Sequence, residues 1–355
     1  MPTPRRRFDP DRRDTIKLLA GAAAAGIAGP ALARLASQPD ESSGSEETLI
    51  AWEQIRDEVW VTSPEAQGGN VLMLHDQGET LIIDSKFPQL AWALRADAES
   101  VAPGEIHYIL THHHADHSGG NIAFVNDTKQ SIGHQNGAPR IAEQLDRYKQ
   151  TAENGLNALI RAGAGNELVK TAKKAQEEAR NWEVEDFTPK RLVERGGRIR
   201  VGRKGIAIGH FGPGHTDNDI AVQCLSDNVI HTGDLVFNGF HPFVDRAAGA
   251  SLYGWIAVLA RLRELADDDT IVVPGHGIVG DQRLLRNQQL YIERLIQAVA
   301  FDISEGIAKA RMQQKTYGFM EGLSFDNLRP IAIGAAYDEI MDRRERGLPV
   351  GLEDA

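Results

Sequence analysis

Cysteine is almost missing from this chain: Cys224 stands alone among 355 residues. That excludes an internal disulfide and any zinc knot built from several thiolates. Positive charge is also in deficit, with 39 Lys and Arg against 50 Asp and Glu, a formal net charge of −11. Such a balance argues against binding a phosphate backbone or adhering electrostatically to a membrane surface, so no nucleic-acid partner is expected. There is no low-complexity tract, no collagen-like bias and no obvious repeat of fixed period. What remains is 41% hydrophobic and 25% charged, a globular composition with length for one large domain or two modest ones.

The first residues read as an address. RRRFDPDRR precedes a mildly apolar, Ala- and Gly-rich stretch from Ile16 to Ala33 that ends in Ala31-Leu32-Ala33. A basic leader, an apolar run and a small-residue cleavage site form an export signal over residues 1–33. Arg12-Arg13 with Thr15, Ile16 and Lys17 resembles the twin-arginine signal, with threonine where an aromatic usually follows the pair. The expectation is a periplasmic or secreted protein with no stable membrane association once the signal is removed. The Gly and Pro content makes the alternative, a retained spanning helix, weak. Residues 34–47 are polar and read as a linker.

From Leu49 the pattern becomes β, with VWVTS, NVLMLHD and ETLIIDS separated by Gly68-Gly69 and Gln77-Gly78. A helix over 90–100 leads to the strand EIHYILTH. Residues of about 138–182 form a charged helical insert of two helices, joined by a flexible GLNALIRAGAGN; it is either a surface elaboration or a lid. Strands resume with RLVE, GRIRV, GIAIGHF, IAVQCLS and NVIHTGD, then a helix and the strand TIVVPGH. The main domain thus spans 48–282, and 283–355 is a helical C-terminal extension. Strands flanked by helices in this order indicate α/β layering.

Each cluster of chemistry-bearing residues directly follows a β run. IHYILT leads to His112, His114, Asp116 and His117; GIAIGHFGPG to His215; NVIHTG to Asp234; TIVVPG to His276. Groups that cap strand ends meet at one rim of a sheet, however far apart they are in the chain. Imidazole nitrogen and carboxylate oxygen are zinc ligands, and a catalytic site leaves a position open. His112 and His114, two apart, can face the same way from an extended segment, which leaves His113 between them pointing elsewhere. Asp116 and His117 lie just beyond, where the chain turns.

His-x-His-x-Asp-His, then Gly-His, Gly-Asp and Pro-Gly-His-Gly in order resemble the metallo-β-lactamase superfamily of dinuclear hydrolases, over roughly residues 48–282. The resemblance implies an αββα sandwich with the site at the sheet edges. It implies one zinc on His112, His114 and His215, a second on Asp116, His117 and His276, and Asp234 bridging the two. Asp84, in LIIDS, matches an aspartate that supports the metal loops from behind. Asp116 and Asp234 are then the catalytic carboxylates, and a hydroxide between the ions is the nucleophile attacking an ester, thioester, lactone or amide-like bond of a small molecule. Iron or manganese would suit the same ligands.

Two alternatives stay open. Export favours a β-lactamase acting on β-lactam antibiotics, although the dedicated enzymes generally lack the Asp234 bridge. A mononuclear iron persulfide dioxygenase also uses two histidines and an aspartate. His241, in the loop after Asp234, is a candidate substrate contact, as are Asp245 and Phe240. Cys224 alternates with apolar residues and reads as a buried strand position. His75, His107, His134, His210 and His231 read as structural or surface residues. Oligomeric state is left open.

Overall fold

The computed structural model describes residues 48–62 and 67–351; the export signal and linker lie outside the described residues. Seven strands form the first sheet, in chain order: β1 (Trp52–Arg56), β2 (Val59–Thr62), β3 (Leu72–Asp76), β4 (Glu79–Ile83), β5 (Glu105–Ile109), β6 (Gln130–His134) and β7 (Arg191–Val193). The first four pair antiparallel, and β4 through β7 pair parallel. The second sheet holds β8 (Gly196–Val201), β9 (Lys204–Gly209), β10 (Ala221–Cys224), β11 (Val229–His231), β12 (Ile271–Val273) and β13 (Gly280–Asp281). Helices α1 (Ala91–Val101), α2 (Ala115–Ser118), α3 (Gly137–Arg161) and α4 (Asn166–Ala179) precede β7, while α5 (Leu252–Glu264), α6 (Arg283–Ser304), α7 (Lys309–Met312) and α8 (Arg329–Glu345) follow β11.

Strand alternation explains the layers. Leu72, Leu74, Leu81, Ile83 and Ile109 face Ile206, Val222, Cys224 and Val273 across the gap between the sheets. Their neighbours Met73, Ile82 and Tyr108 point the other way, into a core made with α1, α3 and α4. On the far side, Val272 packs with Trp255, Leu259, Leu285, Ile292 and Ile333 from α5, α6 and α8. Period-two side-chain placement thus buries both faces of each sheet, giving the αββα sandwich that the resemblance implied. Cys224 is fully buried.

The insert differs from its sequence reading in one respect. GLNALIR is not a hinge but the last part of α3, which runs unbroken to Arg161. Tyr148, Ala152, Leu156 and Leu159 recur at helical spacing on its buried face, and that burial outweighs the low helix propensity of Gly155. A side chain at 155 would collide with Gln89, its Cβ 2.4 Å from the amide carbon. The break is confined to 162–165. Helix α3 also lies against the back of the histidine loop: Gln144 Nε2 donates to the His113 carbonyl at 2.9 Å, and the Tyr148 and Ser118 hydroxyls lie 2.7 Å apart. Among the described residues no helix is long and apolar enough to cross a membrane.

Candidate metal centre

The seven motif residues converge at the ends of β5, β9, β11 and β12. Asp234 lies at the middle of the group. Its Oδ2 is 3.7 Å from His112 Nε2 and 3.5 Å from His215 Nε2. Its Oδ1 is 3.0 Å from His117 Nε2 and 3.5 Å from His276 Nε2. His114 Nδ1 completes the first group, 3.1 Å from His112 Nε2 and 2.9 Å from His215 Nε2. Asp116 Oδ2 completes the second, 3.1 Å from His276 Nε2 and 3.8 Å from His117 Nε2. Tetrahedral ligands about 2.0–2.1 Å from a zinc ion stand about 3.4 Å from one another; these separations straddle that value.

Hydrogen bonds on the outer sides of the rings decide which nitrogens carry protons. The Thr111 hydroxyl donates to Asp84 Oδ2 at 2.8 Å, so it accepts from His112 Nδ1 at 3.1 Å. His215 Nδ1 donates to the Phe243 carbonyl at 2.7 Å, and His114 Nε2 to Asp245 Oδ2 at 2.9 Å. In neutral imidazoles the opposite nitrogens are then bare lone pairs. His112 Nε2, His114 Nδ1 and His215 Nε2 therefore aim three lone pairs at one another across about 3 Å. Among the described residues no other group donates into that space. With all three rings neutral the arrangement repels itself unless a cation occupies the centre, so these oriented histidines could hold a metal ion.

The second group gives the same answer by another route. Asp234 Oδ1 is buried and meets His117 Nε2 at 3.0 Å and His276 Nε2 at 3.5 Å; without such partners a buried carboxylate oxygen is costly. Burial alone would push the Asp234 and Asp116 carboxyls up, yet the surrounding imidazoles hold both well below the usual carboxylate range. Burial would likewise lower His117, but Asp234, Asp116 and Asp84 hold it well above the ordinary histidine value. That field, which retains a proton on His117, favours a divalent cation more. In the first group burial and neighbouring imidazoles lower His112 well below its ordinary value and His215 to about 4. Both groups of side chains could thus hold a metal ion.

Local structure explains the convergence. Asp84, at φ +68, is fully buried and accepts from Thr111 N at 2.8 Å and from His117 Nδ1 at 2.7 Å, as well as from the Thr111 hydroxyl. One carboxylate therefore orients ligands of both groups. Asp116 and His117 sit on α2, a single turn whose backbone closes onto the His114 carbonyl. Two glycines make room. A Cβ at Gly275 would lie 2.0 Å from Asp234 Oδ1, and one at Gly69 would lie 2.1 Å from His117 Cε1. Asn70 Nδ2 holds the loop before and after His276 through the Pro274 and Gly277 carbonyls, at 2.8 and 2.9 Å.

The other expectations have mixed outcomes. His113 is buried away from the motif residues' shared centre, beside Asn218, with its pKa driven down to about 2 chiefly by burial. His241 is buried, and its Nδ1 is 2.9 Å from the Tyr291 hydroxyl of α6; the C-terminal extension takes the ring. Asp245, read as a substrate contact, is the partner of His114 instead. Thr111, the Phe243 carbonyl and Phe325, whose ring meets His276 at 6.0 Å, were not singled out. A hydroxyl beside LIIDS-type aspartate has no sequence mark of its own, and a carbonyl has none at all.

Comparison with known proteins places the chain in a family. The family model of the metallo-beta-lactamase superfamily matches residues 65–276. Acyl-coenzyme A thioesterase MBLAC2 of Gallus gallus is 24% identical over 235 residues, which cover 63% of this chain and 78% of that protein. Its counterpart from Homo sapiens is 25% identical over 203 residues, 56% of this chain and 66% of the relative. Among solved structures, a metallo-beta-lactamase from Pontibacter korlensis superposes with a TM-score of 0.50 at 18% identity, covering 69% of this chain and 99% of the other, a likeness of fold. With ordered motifs, a two-sheet sandwich and a family match over most of the described domain, the chain belongs to the metallo-beta-lactamase superfamily.

Proposed function

We propose that the protein is an exported dinuclear hydrolase, zinc-loaded, that cleaves an acyl thioester or a closely related activated ester. The observation that carries the dinuclear reading is the position of Asp234, each of whose oxygens faces a separate set of nitrogen and carboxylate donors. His112, His114 and His215 would hold one ion, Asp116, His117 and His276 the other, and Asp234 both. The named thioesterase activity of the vertebrate relatives supports the thioester choice.

Asp116 and Asp234 are held so strongly ionised by their imidazole neighbours that neither is an effective base at neutral pH. Bound dications would supply what these carboxylates lack, lowering the pKa of water from 15.7 to about 7 and polarising an acyl carbonyl. The remaining work belongs to the chain. Asp84, through Thr111 and His117, keeps two ligand rings in the tautomer that presents a lone pair. Asp245 and the Phe243 carbonyl do the same for His114 and His215. The Asp116 side chain is 17% exposed and that of His114 15%, against 5% for Asp234, so both donor groups border solvent while the shared carboxylate lies beneath them.

The test is metal content measured together with turnover of acyl thioesters, followed by release of the free thiol. Two zincs per chain with thiol release, abolished by a chelator and restored by zinc, is the expected result. One iron per chain with thiol-dependent oxygen uptake would overturn the hydrolytic reading. Two zincs with β-lactam opening and no thiol release would move the substrate class to β-lactams. Export is tested separately, by sequencing the N-terminus of the protein from the periplasmic fraction; a start at Arg34 is expected.

A further inference from the structure

Beside His276 the molecule places two phenylalanine rings that take no part in holding the ligand side chains. Phe325 lies 6.0 Å from the His276 ring at 77° and 4.6 Å from the Phe240 ring at 37°. Both phenylalanines are only partly buried, in contrast to Phe237, which stacks on His276 from the protein side at 5.4 Å. Phe240 follows the Asp234 loop, whereas Phe325 comes from the C-terminal extension, far outside the motif-bearing segment.

The backbone at Phe325 is left-handed, φ +62 and ψ +43. Bulky residues avoid this region, and where it persists the surroundings over-determine it, often at ligand clamps. The surroundings do so here. Ser324 N donates to the Gly239 carbonyl and His241 N to the Ser324 carbonyl, both at 2.9 Å, joining this segment to the Asp234 loop like a short strand pair. Leu328 N donates back to the Phe325 carbonyl at 2.8 Å, and Arg329 Nε to Asp326 Oδ1 at 2.8 Å. The tether between Tyr291 and His241 fixes the same strip from beneath. A strained aromatic residue, held this firmly and left partly exposed against the His276 ring, is an apolar surface bordering the site.

We propose that Phe325 and Phe240 form a wall that receives the apolar chain of the substrate, an alkyl acyl group of several carbons, and sets its length preference. This rests on the hydrolase reading above and names its acyl specificity. Phe243, 5.4 Å from His114, lies beside the other ligand group.

The decisive variant is Phe325→Gly, because glycine adopts the left-handed backbone freely and the strip keeps its shape without the ring. Two series are compared with the wild type. The first is kcat/KM for acyl thioesters from acetyl to decanoyl. The second is calorimetric binding of straight-chain carboxylates, butanoate to decanoate, to the zinc-loaded protein. In the wild type each added methylene should tighten binding about twofold to fourfold. In Phe325→Gly that increment should largely vanish, with a loss of about a hundredfold or more for the longest chain and under twofold for the shortest. Zinc content should be unchanged and Tm unchanged or raised, and Phe325→Leu should restore part of the increment.

A loss uniform across chain lengths, or an increment untouched by the glycine variant, would overturn the wall. A fall in Tm with no change in increment would make Phe325 a packing residue. The two proposals separate cleanly. Carboxylate discrimination lost in the variant, in a protein that releases no thiol, sustains the wall and removes the thioester reading. Thiol release with flat carboxylate and acyl series in the wild type does the reverse. If Phe325→Gly does not fold, Phe240→Ala carries the same two series.

Discussion

The two halves of the metal cluster meet at one aspartate but are built differently. On the Oδ2 side of Asp234 stand three imidazoles, two of which, His112 and His215, are pushed towards the neutral form by burial. On the Oδ1 side stand two imidazoles and Asp116, with Asp84 directly behind His117, and there the local charge holds a proton on His117. The first half is a set of lone pairs already oriented. The second is an anionic cavity in which a metal ion must displace a proton. Ligand type alone would call the halves similar; the carboxylates around them make them respond differently to pH.

The largest expected effect comes from removing what they share. Asp234→Ala should lower hydrolysis by about a thousandfold or more and reduce zinc below two per chain, measured by turnover and by elemental analysis of the folded protein. Retained turnover would separate the halves functionally and end the shared-carboxylate mechanism.

Next come variants that isolate each half. His112→Ala should leave zinc binding to the acidic half, with affinity rising steeply from pH 6 to pH 8 because an ion bound there must displace the proton held on His117. His276→Ala should leave the histidine half, whose affinity should rise less steeply over that range because His112, lowered well below its ordinary value, and His215, at about 4, are already deprotonated. Competition with a chromophoric chelator at several pH values reads both. Equal slopes would break the contrast.

Asp84→Asn should act on both halves, since the carboxylate supports His117 directly and His112 through Thr111. A loss of about 10–100-fold in zinc affinity is expected. The larger share should fall on the acidic half.

The smallest effect lies behind the histidine half. Asp219 is buried, accepts from Thr216 N and the Thr216 hydroxyl, and has its pKa raised to about 7, chiefly by burial. A raised folded-state pKa means that its stabilising contribution is full below about pH 4 and is lost as pH rises through about 7. Chelator-treated wild type should therefore lose about 2 kcal/mol more stability between pH 5 and pH 8 than Asp219→Asn, read by urea denaturation at each pH. Parallel curves would show that the buried carboxyl titrates normally.

Much of this was legible from residue order. A β run ending in a polar ligand, repeated four times, placed His112, His114, His215, Asp234 and His276 at one rim, because strands deliver their ends together and loops do the rest. The two-residue period of an extended segment set His113 apart from His112 and His114, and the structure turns its Nδ1 to Asn218 while leaving the ring near His114 and Asp245. The segment 155–161 reads as flexible because Gly155 and the Ala-Gly run look so in isolation, while a helix packed against Gln89 and the sheet gains more from burying Leu156 and Leu159 than glycine costs. Asp245 and His241 lie four residues apart on one loop, and no local pattern says which turns to the cluster and which to α6.

The sequence by itself determined the donor set, its order and the alternating apolar code that makes two sheets bury each other. These depend on residue type and on spacing along the chain. Only the tertiary structure decided which nitrogen of each ring is bare, that Asp234 turns one oxygen to each group, and that a phenylalanine from the C-terminal extension borders His276. Those are relations between segments tens to hundreds of residues apart, and hydrogen-bond direction, charge and exposure exist there only once the chain has closed on itself.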